Sequence, residues 1–176
     1  MADKIYVTRK DILLSGYNGN LESVIVHNAG GTAVEIQNGL FVTLGDLMAV
    51  PNPREVHKAT LTKAGDHKEE IYFIHNSEVM YDEKKYKLED FRIPAGKVAR
   101  AYALATGDII TLTADYFGTA PVVGDKLVAG ANGLLVKPDG TTVKVEEAKI
   151  VFKVIEDSGY ELHQKAKAFA LKIVRN

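Results

Sequence analysis

The stretch Lys126–Val145, KLVAGANGLLVKPDGTTVKV, decides how the architecture of this chain is read. Three short runs rich in apolar and β-branched residues are separated by Asn132-Gly133 and Asp139-Gly140. A two-residue hairpin that matches the twist of its strands needs left-handed backbone at both central positions. Asn-Gly and Asp-Gly tolerate that conformation best. The stretch therefore predicts a small antiparallel meander running through Lys126–Ala129, Leu134–Lys137 and Thr142–Val145.

The same grammar appears upstream. Val34 and Ile36 alternate with Glu35 and Gln37, Asn38-Gly39 follows, and Leu40–Leu44 continues the pattern. Period-two alternation puts one side in a core and the other in water, so a second hairpin is predicted here. Asn38-Gly39-Leu40-Phe41-Val42 echoes Asn132-Gly133-Leu134-Leu135-Val136. Two hairpins converging on one turn explain the echo; the spacing does not repeat elsewhere, as a solenoid would require.

Further strands are predicted at Val24–Val26, Val56–Thr62, Ile71–His75, Ile109–Thr113 and Ala148–Glu156, the last ended by a turn at Asp157-Ser158-Gly159. Lys97–Ala105 alternates Val98, Arg100, Tyr102 and Leu104 with alanines. Helix competes there because alanine favours it, but Gly96 and Thr106-Gly107-Asp108 bracket the run at strand length. In the last segment Phe169, Leu171 and Ile173 share a face. Lys87–Phe91 suits one helical turn, and nothing sustains a 3.6-residue period for longer. The expected fold is mainly β: an antiparallel barrel or sandwich, as one body or two small β subdomains, with an extended N-terminal arm and at most short helices. Pro51-Asn52-Pro53 breaks any central strand. The expected organisation is an arm at 1–20, a β hairpin region at 21–50 and a main β domain at 51–176.

Composition narrows the function classes. A net charge of −1 from 22 basic and 23 acidic residues argues against nucleic-acid binding by bulk electrostatics. With no cysteine there are no disulfides, thiolate metal sites or cysteine nucleophile. No apolar leader of the secretory kind opens the sequence, and no run approaches the roughly 18 apolar residues of a membrane span.

Catalytic signatures are weak throughout. There is no Gly-x-Ser-x-Gly elbow, phosphate loop or dinucleotide fingerprint. His67, Glu69, Glu70 and His75 are the nearest thing to a metal cluster, and they read as a solvated charged loop. Asp46, Asp66, Asp108 and Asp125 each follow a glycine, which reads as turn chemistry rather than a carboxylate pair. Lys84-Lys85-Tyr86-Lys87 mixes basic and aromatic residues, but Asp82, Glu83, Glu89 and Asp90 flank it and cancel most of the field. The reading is a non-enzyme with no catalytic, cofactor or metal residues.

Ala95–Tyr102, Thr106–Thr113 and Val123–Leu127, together with Asn38–Gly45, resemble the small accessory head proteins of tailed bacteriophages, the decoration or cement proteins. The resemblance lies in turn grammar and transfers no functional residue. It implies a structural protein made in the host cytoplasm that binds the outside of an assembled capsid and bridges its subunits. Its partners would be the major capsid protein and neighbouring copies of itself, with a homo-oligomer among the arrangements and neither nucleic acid nor membrane involved. The alternative is another phage structural or glycan-binding β module of a tail, baseplate or adhesin. Ile5, Tyr6, Val7, Leu13, Leu14 and Tyr17 are the candidate anchors toward capsid or neighbour. The leader carrying them either orders on another surface or forms a strand of the chain's own sheet.

Overall fold

The computed structural model describes residues 4–12, 21–49, 55–80, 82, 85 and 87–176. It is mainly β, as the turn grammar predicts. Five strands close a barrel: β2 (Leu21–Val26), β3 (Phe41–Leu47), β4 (Val56–Leu61), β5 (Tyr72–Ile74) and β6 (Ala99–Ala103). Their order is β2-β4-β3-β5-β6, and β6 pairs antiparallel with β2 to close the ring. One neighbouring pair, β2 and β4, is parallel, with Ser23 opposite Val56.

The other six strands among the described residues are β1 (Thr8–Ile12), β7 (Ile109–Thr113), β8 (Lys126–Ala129), β9 (Leu135–Val136), β10 (Val151–His163) and β11 (Ala166–Arg175). They form one antiparallel sheet in the order β1-β7-β11-β10-β8-β9. The leader question is thereby answered for Thr8–Ile12, which pairs with β7 as a strand of the chain's own sheet. Leu13, Leu14 and Tyr17 lie outside the described residues, as does the Pro51–Pro53 breaker. The segment containing that breaker joins β3 to β4, which are paired within one barrel, so the barrel runs from Leu21 to Ala103.

A single hydrophobic core joins barrel and sheet. Phe41 of β3 lies 5.6 Å from Phe73 of β5 and packs edge-on against Phe152 of β10 at 5.3 Å. All three rings are fully buried. Each contributes roughly 2–3 kcal/mol by area, and the edge-on pair adds up to about 1 kcal/mol more.

Three local expectations are corrected. Val34–Gln37 makes no strand: Ala33 bridges His27, Ile36 bridges Ile93, and Gly39 N–H donates to Ile74 O at 2.7 Å. Thr142–Val145 makes no strand either. Asp139 Oδ1 accepts the N–H groups of Thr141, Thr142 and Val143, each at 2.8 Å, and this side-chain cap competes with any ladder. Val143 and Val145 are instead packed in a satellite cluster with Val128, Ala148 and Val151. Asp157-Ser158-Gly159 is not a turn. β10 runs through it to His163, with register shifts on either side of Gly159, so the extra residues are absorbed as bulges. In β6, Ala99, Ala101 and Tyr102 are buried and Arg100 is exposed.

Candidate interaction groove

Among the pockets of the described residues, one of about 780 Å³ draws on four separate segments. Lys4 and Ile5 come from the run into β1, Ala114 and Asp115 from the Ala114–Tyr116 3-10 turn after β7, Lys165 from the β10–β11 turn with Ala166 and Lys167 from the start of β11, and Glu89, Asp90 and Arg92 from around the Leu88–Asp90 3-10 turn. The strand order β1-β7-β11 sets the first three side by side, and the Leu88–Asp90 turn supplies another wall.

Internal bonds hold these walls in register. Ile5 N–H donates to Asp115 Oδ2 at 2.5 Å, Val7 N–H to Thr113 Oγ1 at 3.1 Å, and Thr113 Oγ1 to Ile5 O at 2.7 Å. The 3-10 turn is closed by Lys87 N–H donating to Asp90 Oδ2 at 2.8 Å. It is tied to the hairpin tip by His163 Nε2 and Glu89 Oε2 at 2.6 Å. His163 Nδ1 accepts the Lys165 N–H at 3.2 Å, so Nε2 carries the proton offered to Glu89.

The three carboxylates on the groove are thus all engaged within the chain. The cations are less so. Lys167 pairs with Asp157, holding that carboxyl below its ordinary value through the side-chain hydrogen bond, and sits 5.5 Å from the centre of the Phe169 ring. Arg92 turns Nη1 to the carbonyls of Glu89 and Phe91 at 2.7 and 2.8 Å. Among the described residues, Lys4 and Lys165 have no acidic partner within 4 Å.

The predicted anchors separate. Ile5 lines the groove and Tyr6 packs edge-on against Tyr116 at 5.1 Å. Val7 is 2% exposed and belongs to the chain's own core. Of the aspartates that follow glycine, Asp66, Asp108 and Asp125 each accept a backbone N–H three residues back, from Lys63, Ala105 and Val122. His67 is buried rather than solvated as the sequence suggests, and its carbonyl accepts the Lys149 N–H at 2.7 Å. His75 sits beside Phe73. No group of three or more His, Asp or Glu among the described residues is placed to hold a metal ion.

Sequence reasoning missed the groove because four distant segments build it. The one local signal was Lys165-Ala166-Lys167, a small residue between two cations beside a hairpin turn.

Outside the groove, Val122, Val123 and Ile155 are 62%, 56% and 38% exposed, on two segments joined where Gly124 N–H donates to Val154 O at 2.8 Å. Compared with known proteins, the chain matches no family model, and no curated protein or solved structure is significantly similar to it.

Proposed function

We propose that this chain is a structural accessory protein of a tailed-bacteriophage head, bound to the outside of the shell and bridging its subunits. The resemblance in turn grammar motivates the reading. The observation that carries it is the exposure of apolar Val122, Val123 and Ile155, on two hydrogen-bonded segments of a body whose barrel and sheet share one core. Clustered exposed apolar side chains mark interaction surfaces in proteins that otherwise bury such groups. A body with one core meets a partner without first ordering itself, which lowers the entropy lost on association. Many copies on a shell then add avidity.

The test is sedimentation of the purified chain with phage heads assembled without it. Saturable pelleting with the heads is expected, together with a higher temperature of head disruption. Val123→Asp is expected to lower the retained fraction several-fold while the chain's own melting temperature stays within a few degrees, because Val123 is exposed. A chain that stays in the supernatant at saturating heads, or is missing from purified particles by mass spectrometry, overturns the proposal.

A further inference from the structure

We infer that the groove between Ile5, Arg92 and the β10–β11 turn receives an acidic peptide segment, its carboxylates meeting Arg92, Lys4 and Lys165. This deepens the reading above and rests on it only for the owner of that segment, the shell protein. Each carboxylate of the groove already holds a partner within the chain. Asp115 takes the Ile5 N–H, Asp90 takes the Lys87 N–H, and Glu89 takes His163. The binding capacity left over is cationic. Among the described residues, two ammonium groups lack an acidic partner, and one guanidinium commits Nη1 to carbonyls while Nε and Nη2 carry no such bond. A planar guanidinium matches a carboxylate in a two-bond fork, and lysines add point charge around it.

The same lining selects among anionic ligands. Among the described residues no aromatic side chain lines the groove, so these walls offer neither bases nor sugar rings a stacking platform. Glu89, Asp90 and Asp115 would repel a phosphodiester or sulfated chain, whose charges recur along its whole length. An extended peptide can set an isolated carboxylate against Arg92 and pass neutral backbone across the acids. A cavity of about 780 Å³ falls in the range that holds a ligand of a few residues.

The experiment uses the full chain, isotopically labelled, with three probes: a capped Gly-Glu-Gly-Glu-Gly peptide, its Gly-Lys-Gly-Lys-Gly counterpart, and heparin. The glutamate peptide is expected to shift the amide signals of Lys165, Ala166, Lys167 and Asp115, with affinity falling as salt rises. The double variant Lys4→Glu/Lys165→Glu is expected to lose at least ten-fold in affinity. Lys172→Glu, on the exposed side of β11, is the control and is expected to leave affinity unchanged. Absence of shifts at those amides, equal binding of the lysine peptide, or binding of heparin alone overturns the inference. The head assay separates it from the functional proposal. Heads that hold wild type and double variant equally remove the groove as the docking site and leave the head reading standing. Glutamate-peptide binding by a chain that ignores heads does the reverse.

Discussion

Asn38-Gly39-Leu40-Phe41-Val42 and Asn132-Gly133-Leu134-Leu135-Val136 differ at one position in five and fold differently. At the second, Asn132 and Gly133 both have left-handed backbone, with φ of 60° and 72°. Leu134 N–H closes the turn on Ala131 O, and β8 and β9 pair across it with Val128 opposite Val136. This is the hairpin that the dipeptide predicts. At the first, among the two central residues, positive φ belongs to Gly39. The Asn38 side chain is used differently: Oδ1 accepts the Asn76 N–H at 2.8 Å, and Nδ2 donates to Asn76 O at 2.9 Å and to Glu78 Oε1 at 3.1 Å. Its carbonyl accepts the Tyr116 hydroxyl, whose pKa is raised well above the ordinary value by burial first and by Glu78 next. One motif makes a local turn, while its double makes a long-range clasp between barrel and sheet. The dipeptide specifies a permitted backbone, and tertiary partners decide its use.

The largest expected effect lies at the clasp. A Cβ on Gly39 would fall 2.5 Å from the Tyr116 ring, so Gly39→Ala is expected to cost about 3 kcal/mol, from overlap together with strain at positive φ. A urea titration measures it. A cost below about 1 kcal/mol would show that the clasp opens freely and would break the contrast. Asn38→Ala comes next, at about 2 kcal/mol, because it removes a buried side chain and strands its half-buried partners at Asn76 and Glu78. Asn132→Ala is expected to cost about 1 kcal/mol, through backbone conformation alone. Asn132→Gly should recover that loss, whereas Asn38→Gly should not recover the loss at the clasp. Equal rescue at both sites would mean that the two Asn-Gly pairs work alike after all.

The third pair, Asp139-Gly140, sharpens the contrast by pH. Three backbone N–H bonds hold the Asp139 carboxyl below its ordinary value near 3.8, the bond from Val143 first. The folded loop therefore resists protonation that the unfolded chain accepts. Its contribution is complete above the ordinary value, falls as pH drops below that value, and is lost once pH passes the depressed one. Asp139 is exposed, so the effect is expected to be the smallest of the four. Asp139→Asn should flatten the pH dependence of the melting temperature below pH 4, and an unchanged slope would assign the acid sensitivity to other carboxylates.

These contrasts show what the residues alone could convey. Strands written as continuous β-branched runs, such as Val24–Val26 and Ile109–Thr113, were legible because burial on both faces needs no partner to be named. Val34–Gln37 was misread because its alternation is equally compatible with isolated bridges to His27 and Ile93, far apart in sequence. Gly159 looked like the end of a strand, yet a bulge uses the same positive φ to continue one. The groove was not legible. No local pattern states that Ile5 will meet Asp115, or that Glu89 will meet His163.

The placement of β1 has a kinetic consequence. The Val7 N–H and Thr113 Oγ1 that bond are 106 positions apart in the chain, a separation at which ring closure is slow. Most of the intervening polypeptide belongs to the closed barrel, whose strands Leu21 to Ala103 are contiguous in sequence. Once that module has condensed, the two ends of the long segment are carried on one small particle, and the search shortens to a short tether at each side. Docking of the first strand is therefore expected to be the late step of folding, gated by completion of the module it bypasses.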